Sequence, residues 1–186
     1  MEIHDNIEII DLGLYLKDYG ILIISDTQIG YEESLNKQGI MLPRFQYKDL
    51  IKRIEKIVNI CKPGKIIING DIKHEFGRIS NTEWRYTLNL IDLLAERAEL
   101  VLIKGNHDKI LGPIADKKNI AIVDHYLVDE IYLCHGHQIP KEEEFKKAKV
   151  IIIGHEHPAI AIRDKGRVEK FKCFLKGKYK NKILIV

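Results

Sequence analysis

Five apolar runs rich in isoleucine, valine and leucine each end in a short polar island. This pattern most restricts what the chain can become. The islands are Asp26-Thr27-Gln28, Gly70-Asp71-Ile72-Lys73-His74, Gly105-Asn106-His107-Asp108, His135-Gly136-His137 and Gly154-His155-Glu156-His157. Runs of five or so continuous apolar residues read as strands covered on both faces. Polar groups placed just beyond buried strands are costly to keep without a role.

The segments between the first three islands have helical periodicity. Leu50, Ile51, Ile54, Ile57, Val58 and Cys61 predict a helix over Gln46–Cys61, stopped by Lys62-Pro63-Gly64. Leu88, Leu90, Ile91, Leu93, Leu94 and Ala95 predict a second, capped by Asn81 or Thr82 and running to about Arg97. Strands at Lys65–Asn69 and Glu99–Ile103 follow these helices. Two strand–helix–strand units imply parallel strands with right-handed crossovers. Ahead of them, an N-terminal hairpin feeds a strand at residues 21–25, with a turn at Lys17-Asp18-Tyr19-Gly20. After Gly112-Pro113 the pattern changes to short strands at residues 120–124, 126–128, 130–134, 150–153, 159–162, 168–174 and 182–186. These read as a largely antiparallel finish, interrupted by a short charged helix at 141–147.

The 186 residues are one domain's worth, spanning 1–186 with no composition break. The acidic start and the lack of a long apolar run point to the cytoplasm and away from membranes. Three cysteines, Cys61, Cys134 and Cys173, without Cys-x-x-Cys spacing exclude a disulfide framework and a zinc knot, and predict inert buried thiols. Nine basic residues between Arg163 and Lys182 face only Asp164 and Glu169, a local balance of +7 in a chain of net charge +3. Lys176, Lys178, Lys180 and Lys182 alternate, so in one strand they would line one face. Such a face can track nucleic-acid phosphates or simply protect a sheet edge from aggregation.

In open α/β sheets, ligands gather beyond the carboxyl ends of parallel strands, so Asp26, Asp71 and Asn106 are expected to converge. Their mixture of carboxylate, amide oxygen and imidazole suits Mn²⁺, Fe²⁺ or Zn²⁺. Taken singly, each residue is more often a cap or a satisfied histidine. The joint spacing outweighs those odds.

The ordered islands Asp-x-Gln, Gly-Asp-x-x-His, Gly-Asn-His-Asp, His-Gly-His and Gly-His-x-His resemble the calcineurin-like metallophosphoesterases. Gly30-Tyr31-Glu32, Lys73-His74-Glu75 with Trp84-Arg85, and the run from Gly154 to Pro158 look like a small archaeal branch similar to DNA-ligase-associated phosphoesterases and repair nucleases. The resemblance implies a four-layer α/β/β/α sandwich with mixed central sheets, and a phosphodiesterase in which a hydroxide held between two divalent ions attacks phosphorus. It implies one metal site of Asp26, Gln28, Asp71 and His157, and a second of Asp71, Asn106, His135 and His155. Mn²⁺ is the favoured ion, with Fe²⁺, Zn²⁺ or Ni²⁺ as others. His107 would serve the leaving group, with Asp108 orienting it. His74, Lys73, Arg85 and Asn106 would contact substrate, a phosphoester such as a nucleotide or nucleic acid. A homodimer and a DNA-processing partner are further implications. Gln28 stands where the family pattern has histidine, and its neutral carbonyl is a weaker donor. The alternative is therefore a weakly active or non-catalytic metal- or nucleotide-binding subunit of a DNA-processing assembly.

Overall fold

The structure is a computed structural model that describes residues 1–43, 45–75, 79–108, 111, 112, 115 and 118–186. Pro113 of the expected Gly112-Pro113 boundary lies outside these. A seven-stranded sheet has the order β1 (Glu2–His4), β2 (Ile7–Ile10), β3 (Gly13–Leu16), β4 (Ile21–Ile24), β5 (Lys65–Asn69), β6 (Glu99–Ile103), β7 (Ala121–Val123). A five-stranded sheet has the order β13 (Lys176–Tyr179), β14 (Lys182–Ile185), β10 (Val150–Ile152), β9 (Ile131–Cys134), β8 (His125–Val128). β11 (Ala159–Asp164) and β12 (Arg167–Lys172) form a separate two-stranded ribbon, exposed along its whole length.

Side-chain alternation along these strands builds three cores and therefore four layers. Leu22, Ile24, Ile66, Ile68, Leu100 and Leu102 point outward against α2 (Gln46–Cys61) and α3 (Asn81–Ala95), meeting Ile54, Ile57, Leu90 and Leu94. Their neighbours Ile23, Ile67, Val101 and Ile103 point the other way, against Leu133, Val150, Ile152 and Ile185 of the second sheet. The far face of that sheet carries Tyr132, Cys134 and Ile151, which pack on Phe145 of the short helix α4 (Glu143–Lys147). This is the mixed α/β/β/α sandwich that the resemblance implied.

The helix ends follow local chemistry. The α2 helix stops at Lys62, a left-handed residue whose N–H donates to the Val58 carbonyl before Pro63 forbids continuation. At its start, the Glu32 carboxylate, from α1 (Tyr31–Lys37), accepts from the Phe45 and Gln46 N–H groups. Ser80, rather than Asn81 or Thr82, caps α3: its extended backbone lets Oγ accept from Glu83 N–H at 3.1 Å.

One expectation needs an addition and one a correction. The second half is largely antiparallel, in β8–β9, β11–β12 and β13–β14, but β9, β10 and β14 are parallel neighbours inside it. The chain reaches β10 from β9 by a crossover through α4, so both strands run the same way and both end at the same edge. The lysine strip is also broken. Lys176 and Lys178 lie on β13 and Lys182 on β14, with Lys180 in the left-handed turn between. Lys176 Nζ donates to the Ile3 carbonyl and Lys182 Nζ to the Lys146 carbonyl. No single face carries all four.

The cysteines divide by environment. Burial pushes the Cys134 thiol up to about 11, and it raises Cys61 as well, whereas Cys173 is half-exposed. At pH 8 only about one Cys134 in a thousand is the reactive thiolate. In native protein treated with N-ethylmaleimide, mass spectrometry is expected to find Cys173 alkylated long before Cys134. Equal rates would mean that the end of β9 is not closed.

Candidate metal centre

The islands sit on a strained backbone. Asp26, Gln28, Asp71, His155 and His157 all have positive φ, between 43° and 66°. A non-glycine residue held there costs on the order of 1–3 kcal/mol, and such residues concentrate at functional sites. What holds Asp26, Gln28 and Asp71 is an extension of the parallel pairing beyond β4 and β5. Asp26 N–H donates to the Gly70 carbonyl, Gln28 N–H to Asp71 and Ile29 N–H to Ile72, while the Thr27 hydroxyl donates to the Ile72 carbonyl.

Asp71 is the centre of the arrangement. Only 2% exposed, it accepts from the His107 backbone N–H at 3.0 Å, and its Oδ2 lies 3.3 Å from His135 Nε2 and 3.6 Å from His107 Nε2. Burial pushes its pKa upward, but His135 and the His107 N–H outweigh burial and hold the carboxyl below its ordinary value. The converse holds for the buried His135. Burial disfavours its charge, yet Asp71 and the Asn69 carbonyl together raise its pKa.

Ligand atoms of Asp71, His135 and His155 lie within 4.8 Å of one another. Asn106 Oδ1 is 3.2 Å from His135 Nε2. Donation of the His135 Nδ1 proton to the Asn69 carbonyl, 2.9 Å away, turns Nε2 toward this cluster, where it donates to Asp71 while protonated and offers a lone pair to a cation once that proton is lost. A second group gathers beside it. His157 Nε2 is 3.1 Å from Asp26 Oδ1 and 3.4 Å from Gln28 Nε2, and Asp26 also accepts from the His155 N–H. Carboxylate, imidazole and amide oxygen donors, with ring nitrogens turned inward, fit divalent cations.

A family model of calcineurin-like phosphoesterases matches residues 19–179. The chain belongs to the calcineurin-like phosphoesterase family. A crystal structure of Pseudomonas putida nuclease MPE resembles it over 94% of this chain and 78% of that one, with a TM-score of 0.67 and 20% identity, a likeness of fold. No curated protein matches the sequence. Among the described residues no helix is long and apolar enough to cross a membrane.

Within this phosphoesterase fold the remaining expected site residues separate. His107 stands beside Asp71, with Nδ1 against the His74 carbonyl and Nε2 facing the cluster. His74 is close, 5.9 Å between ring centroids, and burial lowers its pKa. His137 lies at the exposed rim, 5.5 Å from the His135 ring. Asp108 takes a different part from the one expected. Its carboxylate accepts from the Ile72 and Gly105 N–H groups, tying two ligand loops together, while the His74 carbonyl receives the His107 ring. Lys73 is fully buried and donates to the Glu75 carbonyl, because residues 72–74 pair with Ile29 and turn its side chain inside. It cannot meet substrate in this conformation. Arg85 lies exposed on α3 over the Tyr86 ring.

Three structural partners escaped the sequence analysis. Asn69, at the end of the Ile66-Ile67-Ile68 run, is completely buried and reaches across the sandwich, donating from Nδ2 to the Cys134 carbonyl. Ser25 lies against Asp26 and the Asn69 carbonyl. Glu83, 1% exposed, accepts from the His74 and Glu75 N–H groups and so fixes the carbonyl that receives His107. The available signals were a lone amide closing an apolar run and the Ser80-x-x-Glu83 capping spacing, whose glutamate here serves a distant loop instead.

Gly105 and Gly154 are among the glycines required by contact distance. A Cβ on Gly105 would lie 2.2 Å from Asp71 Oδ1, and one on Gly154 would lie 2.0 Å from Ser25 Oγ and 2.5 Å from Asp26 Oδ2. Gly154→Ala must displace the Asp26 loop. Mn²⁺ affinity measured by titration calorimetry is expected to fall by about tenfold or more. Wild-type affinity in a folded Gly154→Ala protein would contradict this packing account.

Proposed function

We propose that the chain is a two-metal phosphodiesterase acting on a nucleotide or nucleic-acid phosphoester, with Mn²⁺ as the favoured ion. The observation that carries this reading is the convergence of Asp71, His135 and His155 with His107 against the same carboxylate. Asp71, Asn106, His135 and His155 would hold one ion, and Asp26, Gln28 and His157 the other, with Asp71 shared. Bound divalent ions supply Lewis acidity for phosphoryl oxygens and activate water as a nucleophile.

The protein's own groups set orientation and proton position. His107 donates from Nδ1 to the His74 carbonyl, which aims Nε2 at the cluster, and the imidazolium form would give its Nε2 proton to the departing oxygen. Such proton donation is worth about 10²–10⁴-fold in rate. Asp108 contributes by holding the Gly105 and Ile72 loops together rather than by touching the reacting atoms. The Gln28 amide stands beside His157. Exchanging its oxygen and nitrogen by rotation presents an acceptor beside an imidazole lone pair, an arrangement that a cation stabilises.

The test is turnover of bis-p-nitrophenyl phosphate with Mn²⁺. Wild type is expected to be active, His107→Ala to lose about 10²–10⁴-fold in kcat, and Gln28→His to need less Mn²⁺ for half-maximal rate. A wild type inactive with every divalent ion tried, beside an active Gln28→His protein, would instead favour a non-catalytic metal- or nucleotide-binding subunit.

A further inference from the structure

A cavity of about 600 Å³ adjoins the second donor group, with Asp26, Gln28 and His157 in its wall. Away from these three it runs between the two sheets, lined by Leu14 and Ile23 of the seven-stranded sheet and by Ile152, Phe174 and Val186 on the other side. Small-molecule sites have volumes of this order, mostly apolar walls and a few placed polar groups. The space is far larger than a phosphate group needs, and its apolar part lies where a phosphoester's substituent would extend.

Charge narrows the occupant. Among the described residues lining it, Lys172 is the one lysine or arginine, and Glu32 opposes it in addition to Asp26. A second phosphate inside would find little compensation, so the cavity suits an uncharged group rather than a continuing polynucleotide backbone. Asn69 adds an independent observation. It is completely buried, it lines this cavity, and its Oδ1 has no hydrogen-bond partner among the described residues. Its Nδ2 is already committed to Cys134, so the free atom is an acceptor that calls for an N–H or O–H donor, and a cavity occupant reaches it when the covering wall shifts.

We propose that this cavity binds an uncharged planar ring esterified to the phosphate, with the phosphate at the Asp26 and His157 end. The proposal rests on the phosphoesterase reading. Two sources share this chemistry: a nucleoside, whose base has a ring N–H for Asn69, and a plain aryl ester, which has none. The inter-sheet setting favours a flat group, since packed sheets stand about 10 Å apart.

Cys173, half-exposed and in the cavity wall, gives a readout independent of turnover. In chelator-treated protein, alkylation of Cys173 by N-ethylmaleimide is followed by mass spectrometry with saturating thymidine 5′-(p-nitrophenyl phosphate), phenyl phosphate or methyl phosphate. The thymidine ester and phenyl phosphate are expected to slow it by about tenfold, the thymidine ester at lower concentration, and methyl phosphate is expected to leave it unchanged. Equal rates with all three would overturn the proposal. Protection by phenyl phosphate alone would support the ring site with aryl esters as its source.

Turnover supplies the second arm. Cys173→Trp, which fills the cavity, is expected to raise KM for thymidine 5′-(p-nitrophenyl phosphate) by about tenfold. With a nucleoside as the occupant, the same variant should leave p-nitrophenyl methyl phosphate, which has the same leaving group, within about twofold. Equal rises on both esters would support the ring site with the p-nitrophenyl ring as its occupant, and unchanged KM on both would overturn the assignment. If wild type hydrolyses neither ester, the phosphoesterase reading fails while Cys173 protection still decides whether the ring site exists.

Discussion

A carboxylate buried where the two sheets meet makes the greatest demand on this structure. An ionised Asp71 at 2% exposure would cost several kcal/mol without compensation. The fold supplies a backbone N–H from the Asn106-His107 turn and a ring nitrogen from His135. Each donor comes from a different sheet, β6 on one side and β9 on the other. Bringing them together fixes how the two sheets align at this edge. Asn69 reinforces the junction, since its carbonyl takes His135 Nδ1 and its amide takes the Cys134 carbonyl. The ligand geometry and the packing of the sandwich are therefore one problem with one solution.

The same junction explains why the loops tolerate strain. Five of the seven expected ligands have left-handed backbones, and at about 1 kcal/mol or more apiece that strain is comparable with a small domain's net stability. At Asp26, Gln28 and Asp71 it persists because Thr27, Ile29 and the 70–72 carbonyls continue the β4–β5 pairing past the strand ends, while the His155 N–H is held by the Asp26 carboxylate. Asp108 clamps the third loop to the second through Ile72. Rigidity here is made by hydrogen bonds to backbone, which a substitution of Gln28 or His157 would leave intact, whereas replacing Asp26 or Asp71 would also free the His155 or His107 N–H.

Much of this architecture was legible because burial periodicity is written locally. Gln46–Cys61, Lys65–Asn69 and Glu99–Ile103 have the same bounds in the sequence pattern and in the structure. Pairing direction was legible at β4, β5 and β6, where a helix joins successive strands, and not in the second half, because period-2 alternation is the same for a parallel and an antiparallel neighbour. That is why the parallel trio β9, β10 and β14 escaped notice within an antiparallel finish. Lys73 reads as a surface cation until the Ile29 bridge turns it inward. Glu83 reads as a capping-box acid until its side chain is seen to serve His74 and Glu75. Each miss is a long-range contact made by a residue whose local role looked complete.

The two donor groups are unequal for reasons that go beyond Gln28. His135 and Asp71 are buried, and their cluster includes a ring whose orientation is fixed by the Asn69 carbonyl. His157 has a side chain 45% exposed and leans on the Asp26 carboxylate and the Gln28 amide, both in part open to solvent. A preorganised, dry donor set loses less entropy on binding and feels a cation's charge more strongly than a wet one. Replacing a histidine by glutamine at position 28 therefore weakens the group that was already the more labile. It does so at the wall shared with the inter-sheet cavity, where a bound substrate can itself supply oxygen donors. On the proposed two-metal reading, occupancy of that group would be coupled to what lies in the cavity: a phosphate oxygen beside Asp26 and His157 would restore the donor strength that an amide lacks.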